Sequence, residues 1–582
     1  MQLRQIDVFI VPRFDAHQGE YIAPHDERLA FLTGFTGSAG MAIVTKDQTR
    51  LFVDGRYTVQ AQNQCPVNVI ERDHIFENPP ETWLAEVAKD SWTIGYDAML
   101  LPPSWVDRFA QAVSTKKAKL IAQYDNLVDT IWDDQPEEPF GQISSFPLQY
   151  AGVSPDTKRN ELLEHLKARD VGLLVETQPD NIAWMLNVRG DDVAYNPMPQ
   201  SYLLLEDTGA AHWFVDTKKF ENGLRDTLPQ WLELHSKSEF LLVLKTKVIE
   251  GKRVLADPDF SPAAVRNQIE QNKGTPVLER SILTIRKSQK NTTELEGLRA
   301  CHLEDGAAWA EFGAWLSSEV PKRAAAGNPV MEYEAESQIH FFRKRRASFL
   351  SDSFRSISCA GGNAAMCHYA ADLKNSAPVL PESCYLMDSG GQYETGTTDA
   401  TRSYTFGSYP DGYREAYTAV FKAFVALATV RFPDGTQGHH IDAICRRPLW
   451  DLGLDYDHGT GHGIGHRLSV HEHPQRIGKP HSPFDLLPGV VMSIEPGHYK
   501  AELYGIRLEN LFEIIELNNG FYGFQTITWI PIQTAPLLLD RLTNTETDWL
   551  NEYHTQVESK ISPRCTEEAA AWLKVVCKPL SN

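Results

Sequence analysis

Residues 384–405 read CYLMDSGGQYETGTTDATRSYT, and their pattern decides the fold of the second half of the chain. CYLMD predicts a strand ending at Asp388, the small residues of 389–396 predict a reversal, and TTDATRSYTF predicts a returning strand that carries Asp399. A hairpin centred near Tyr393-Glu394 would set the two carboxylates opposite each other, roughly 5 Å apart at Cβ for direct cross-strand neighbours. Two like charges at that separation need a cation.

Downstream, DHGTGHGIGHRLSVHEHP (457–474) places His458, His462, His466, His471 and His473 among glycines that let backbone approach a ligand closely. SIEPG supplies Glu495 at a strand end marked by Pro496-Gly497. GIRLENLFEI (505–514) puts Glu509 on an alternating strand, with Arg507 on the same face. Two Asp, two Glu and one His form an oxygen-rich set for a pair of divalent ions, which bridging carboxylates hold about 3.5–4 Å apart. Such donors suit manganese or cobalt at least as well as zinc. A bridging water is the expected nucleophile and hydrolysis the expected reaction, since bound metal lowers the pKa of water from about 15.7 towards 7. A lone strand Asp or Glu is ordinarily a turn or surface residue, and a Gly-His loop is also consistent with an anion nest; it is five such pieces on successive strands that point to metal. His439, His440, His473 and His481 read as solvent or structural residues.

Strands are expected at 384–388, 397–406, 490–495 and 505–515, with helices near 333–344 and 413–429, giving helices packed on a largely antiparallel sheet. A long helix opens after RKSQKN (286–291) at the capping-box pattern Thr293…Glu296, and a last helix begins at Thr543, with Glu546 in the same relation. Gly297, Gly306 and Gly313 are the weak points of the long helix. The first half reads differently. IDVFIV (6–11), a helix at 27–32, and strands at 41–45 and 51–54 form an α/β unit whose order recurs in DVGLLV (170–175), NIAWML, YLLLE (202–206) and HWFVD. Asp7 to Asp54 spans 47 positions and Asp170 to Asp216 spans 46, so either two similar domains lie in tandem or short common strings coincide. The acidic, proline-bearing WDDQPEEPFGQISSFP (132–147) suits an exposed connection. Boundaries near 150 and 288 give domains 1–150, 151–288 and 289–582.

Length permits this: 582 residues exceed one domain. A net charge of −21 repels phosphate backbones and disfavours a nucleic-acid partner. No run approaches the roughly 18 apolar residues of a membrane span, and the N-terminus lacks the features of a secretory signal, so no membrane partner is expected. The eight cysteines include no C-x-x-C pair, which suits reduced thiols in a cytoplasm.

With these residues in view, the chain resembles the aminopeptidase P family of metallopeptidases, in its long three-domain cytosolic type. HYAAD, DSGGQYETGTTDATR, HGTGHGIG, VHEHP, IEPG and GIRLEN carry the resemblance as an ordered set. FDAHQGEYIAPHDERLAFLTGFTGSAG, DGRY, NLVDTIWDDQPEEP and TETDWLNEYH extend it along the chain. It implies an α/β (α+β) protein: two creatinase-like N-terminal domains followed by a pita-bread catalytic domain. It further implies metal ligands Asp388, Asp399, His462, Glu495 and Glu509, with Asp399 and Glu509 bridging, His462 and Glu495 on one ion and Asp388 on the other. His368 and His471 would face substrate, His458 would line a proline pocket, Arg507 would stand beside the site, and Glu495 would shuttle the proton.

The implied activity is removal of an N-terminal residue from peptides with proline second, with two divalent ions, manganese first and cobalt or zinc as alternatives, in a cytoplasmic homodimer. His466 and His473 stand where relatives often carry small residues, and the segment before Glu495 reads MSI, departures that bear on substrate range. An Xaa-Pro dipeptidase and a non-catalytic binding protein on the same fold are the rival functions; loss of metal ligands marks the latter, and all five are present.

Overall fold

The structure, a computed structural model, describes residues 1–66, 68–366 and 369–580 and divides into two compact units, Met1–Ile285 and Arg286–Asn582.

The first unit contains two six-stranded sheets. One is built from Val8–Pro12, Met41–Thr45, Thr49–Val53, Ile70–His74, Thr93–Asp97 and Lys119–Gln123, and the other from Leu173–Glu176, Tyr202–Glu206, Ala211–Phe214, Leu232–His235, Arg253–Ala256 and Thr275–Leu278. Counting strands along the chain, both have the order 4-3-2-1-5-6. In both, pairs 1–2 and 2–3 are antiparallel, and 3–4, 1–5 and 5–6 parallel. The internal repeat is therefore a shared topology and not a coincidence of short strings. Val8–Pro12 is buried along its whole length because both faces are covered. Val8 and Ile10 pack with Trp83 and Phe109, while Phe9 and Val11 pack with Leu29 and Phe35. That is why these strands read as continuous apolar runs. Residues 133–138 of the connection are mostly exposed, as their acids and prolines require.

In the second unit a six-stranded sheet runs Arg431–Pro433, Phe521–Thr526, Asn510–Glu516, Val491–Ile494, Gly461–Gly463, Glu472–Ile477, antiparallel throughout. A three-stranded antiparallel sheet holds Cys384–Asp388 between Ile357–Ala360 and Thr401–Thr405. Helices Tyr413–Ala428 and Gly438–Trp450 contribute to the largest apolar core, with Phe421 and Phe424 among its buried residues.

Several expectations need correction. The long helix spans Thr292–Ala325, and its capping box is Asn291 with Glu294, not Thr293 with Glu296. Asn291 is still extended (φ −72°, ψ 169°), so Thr292 is already helical. The glycines of this helix are contact points and not flaws. A Cβ on Gly297 would meet the Thr395 carbonyl oxygen at 2.5 Å, and one on Gly313 the Trp572 ring at 2.4 Å. Trp572 belongs to a further helix, Glu567–Val576, beyond the expected last one. That expected helix, Asn544–Ile561, does begin with the Thr543–Glu546 capping box. Finally, 505–515 is not one strand: Tyr504–Arg507 pairs with Gly497–Lys500, and Asn510–Glu516 with Val491–Ile494. Leu508 and Glu509 cross between two sheets, which is what frees the Glu509 side chain from a regular ladder.

Candidate metal centre

Asp388 pairs in register with Thr401, not with Asp399. The ladder continues through Ser389 N–H to Ala400 O and Thr398 N–H to Gly391 O, so the tight turn is at Glu394-Thr395 and Asp399 is displaced two positions from the direct partner. Two positions preserve the face of a strand. The expected direct pair is therefore a diagonal one, and the carboxylates still converge. Ligating atoms of Asp388, Asp399 and Glu509 lie within 4.8 Å of one another, as do those of His462, Glu495 and Glu509, and those of Asp399, His462 and His471.

Each side chain is presented by a different local device. Glu509 N–H donates to Thr401 O, tying the crossover to the central strand. Glu495 follows strand Val491–Ile494 and its N–H donates to Thr460 O. His462 sits on Gly461–Gly463, where a bulge separates it from Gly463. Gly461 matters here, since a Cβ would fall 2.0 Å from Ser493 O. His462 Nδ1 lies 2.9 Å from Gly463 O. A bond there fixes the ring and turns Nε2 towards Asp399 Oδ2 at 3.5 Å and Glu495 Oε1 at 3.6 Å.

The cluster is electrostatically unfavourable without cations. Burial, with the charges of Asp399 and Glu495, pushes the Asp388 carboxyl up to about 7 despite Arg507 beside it. Burial and then the neighbouring carboxylates Asp399, Glu495 and Asp388 hold Glu509 far above the usual carboxylate range. Burial also raises Glu495, although His462 and Arg507 oppose the shift. Asp388 Oδ1 and Asp399 Oδ1 are buried and have no hydrogen-bond partner among the described residues. Carboxylate oxygens left this way are aimed at something other than protein.

A second layer holds the first. Arg507 donates to Asp388 Oδ2 from Nη2 and to Thr401 Oγ1 from Nε at 3.0 Å, and Thr401 Oγ1 donates to Glu509 Oε2 at 2.7 Å. Arg507 Nη1 donates to Tyr499 Oη at 2.6 Å, and Tyr499 Oη lies 2.9 Å from His458 Nε2. Arg402, fully buried, donates to the backbone oxygens of Thr401, Glu509, Ile530 and Pro531. Thr401, Arg402 and Tyr499 are functional neighbours that composition did not single out. Thr401 and Arg402 lie in the DATR stretch directly after Asp399, a local signal, whereas Tyr499 has none.

Of the sequence-predicted site residues, Asp388, Asp399, His462, Glu495 and Glu509 converge, and His471 joins them with its ring 4.3 Å from that of His462. Arg507 touches Asp388 directly, and His458 is linked to it through Tyr499. His368 lies outside the described residues. His440, His473 and His481 are exposed and His439 half-buried. The rings of His439, His440 and His481 form their own group.

The description "Metallopeptidase family M24" matches residues 296–516, and "Creatinase/Prolidase N-terminal domain" matches 1–131 and 134–294. The C-terminal region of the same peptidase family matches 520–580. The chain is 35% identical to a probable Xaa-Pro aminopeptidase P of Ajellomyces capsulatus, over 100% of this chain and 97% of that protein. It is 33% identical to aminopeptidase P1 of Arabidopsis thaliana, over 99% and 97%. The crystal structure of the X-prolyl aminopeptidase of Caenorhabditis elegans, described as a cytosolic enzyme with a di-nuclear active site, superposes with a TM-score of 0.93 at 32% identity, covering 99% of this chain and 95% of that one. With its two creatinase-type N-terminal domains and its pita-bread unit, the chain belongs to the aminopeptidase P family of M24 metallopeptidases.

Proposed function

We propose that the protein is an Xaa-Pro aminopeptidase that hydrolyses the N-terminal Xaa-Pro bond of peptides at a two-metal centre. The observation that carries this is the overlap of the ligand groups: Asp399, Glu509 and His462 each belong to two, and of these the carboxylates can bridge. Five acidic or imidazole side chains, two of them with orphaned buried oxygens, fit a pair of divalent ions. Asp399 and Glu509 would bridge them, His462 and Glu495 would hold one, and Asp388 the other. The oxygen-rich donor set favours manganese, with cobalt or zinc as alternatives. When bound, such ions acidify water and polarise the scissile carbonyl.

The chain's own residues do the rest. Glu495 would take the proton of the attacking water on a carboxylate oxygen and deliver it to the proline nitrogen as the bond breaks. That nitrogen has no hydrogen of its own, because the bond is a tertiary amide. By family likeness His471 and His368 would face the substrate, and His458 would line the proline side. Arg507 opposes the rise of the Asp388 carboxyl and orients it.

We further infer domains 1–150, 151–288 and 289–582, a cytoplasmic location and a homodimer. These rest on family likeness, and sedimentation of the purified protein tests the last. The decisive assay compares Xaa-Pro-Yaa peptides with Xaa-Pro dipeptides across several metals. Release of the first residue from the longer peptides supports the proposal. Exclusive dipeptide cleavage would make the protein a dipeptidase, and metal uptake without turnover a binding protein.

A further inference from the structure

A second cluster of metal-ligating side chains lies in the first unit, on the second six-stranded sheet. His212 on Ala211–Phe214 pairs with Glu233 on the parallel strand Leu232–His235, and Phe214 pairs with His235. The register puts His212, Glu233 and His235 on one face, at the edge of the sheet. His212 Nδ1 lies 3.1 Å from His235 Nε2 and 3.1 Å from Glu233 Oε2, and His235 Nε2 lies 3.6 Å from Glu233 Oε1. Donor atoms around a tetrahedral zinc ion, at about 2.0–2.1 Å from the metal, stand about 3.3 Å apart. The His212–His235 and His212–Glu233 contacts are close to that spacing, and one ligand atom from each of the three residues lies within 4.8 Å of the others.

Their surroundings are those of a prepared site. His212 Nε2 lies 3.0 Å from Glu206 Oε1, and Glu206 is itself held by Lys247 Nζ at 2.8 Å. A carboxylate at Nε2 fixes the proton there and turns the Nδ1 lone pair outward, the orientation found behind zinc-binding histidines. Nδ1 and Glu233 Oε2 then face each other as acceptors at 3.1 Å, with His235 Nε2 at 3.1 Å from the same Nδ1, an arrangement that a cation held among the three satisfies. Phe214 stacks on His235 at 5.0 Å and fixes the second ring. The His212 side chain is 4% exposed and that of Glu233 65%, so a fourth position opens to water on the Glu233 side.

We propose that His212, Glu233 and His235 bind one zinc ion, with Glu206 as positioning residue, and that the ion staples the edge strand Leu232–His235 to its neighbour. The site is independent of the peptidase centre and takes a borderline transition metal on two imidazoles and one carboxylate, where the peptidase centre is carboxylate-rich.

The test strips full-length protein with chelator, saturates it with Zn2+, desalts it and counts zinc per chain by mass spectrometry. Wild type should carry one more ion than His235→Ala, whatever number the peptidase centre holds, while both cleave substrate at similar rates after manganese reloading. Equal zinc in the two proteins overturns the proposal. Should His235→Ala fold poorly, Glu233→Gln preserves the strand's shape. Co2+, which also fills the peptidase centre, should then give wild type visible absorption in excess of that of Glu233→Gln, and identical spectra would overturn the proposal equally.

Discussion

Glu509 accepts a hydrogen bond from Thr401 on one carboxylate oxygen and belongs to both halves of the proposed metal pair. Removing it, or Asp399, takes one ligand from two ions at once. Glu509→Ala and Asp399→Ala should each lower kcat by at least about 10³-fold and reduce bound metal, read by paired rate and metal analyses. A near-normal rate at full occupancy would reject the bridging assignment. By family likeness His471 faces the substrate, beside Asp399 and His462, and is not counted among the five ligands. His471→Ala is therefore expected to keep its metal and lose much of its rate; loss of metal would make His471 a ligand. At this scale the site was largely legible in the sequence, because each ligand lies in a short motif whose strand or glycine context is local. Thr401 and Tyr499 were not singled out: the role of Thr401 comes from Glu509, 108 positions away along the chain, and that of Tyr499 from Arg507 on the strand paired with its own.

At the level of elements, the hydroxyl of Thr401 joins Arg507 to Glu509 and thereby the central strand to the crossover. Thr401→Val keeps the shape and removes the link. It should weaken metal affinity by about 10–100-fold and stability by about 1–3 kcal/mol, measured by metal titration and denaturant unfolding. If metal affinity is unchanged, the hydroxyl does not orient Glu509. The break after Arg507 explains why the sequence misjudged 505–515 as one strand. No glycine or proline marks a break between Ile506 and Glu516, and what interrupts the ladder is the choice of partner, Gly497 for Arg507 and Ile494 for Asn510. The diagonal placement of Asp388 and Asp399 was hidden for a similar reason: a one-residue shift in the turn moves Asp399 by two positions relative to its partner strand.

For the whole molecule, the same carboxylates link metal, pH and stability. Asp388, Glu495 and Glu509 all have folded pKa values above those of the unfolded chain, so the metal-free native state binds more protons than the unfolded one, and these groups cost stability as pH rises. For Asp388 the loss develops between the ordinary carboxylate range near 4 and its folded value of about 7. Metal-free wild type should therefore fall behind metal-free Asp388→Asn in unfolding midpoint as pH rises from about 5 to 8, and added metal should remove the deficit. Parallel pH profiles would contradict this. At this scale the tandem α/β repeat was readable from strand order, but its proof needed the shared 4-3-2-1-5-6 pairing, which no local pattern encodes. The most direct measurement is the rate of first-residue release from an Xaa-Pro-Yaa peptide by exhaustively chelated protein, followed by stepwise return of Mn2+. The account predicts no turnover after chelation and recovery as the carboxylate centre fills; undiminished hydrolysis by metal-free protein would contradict it.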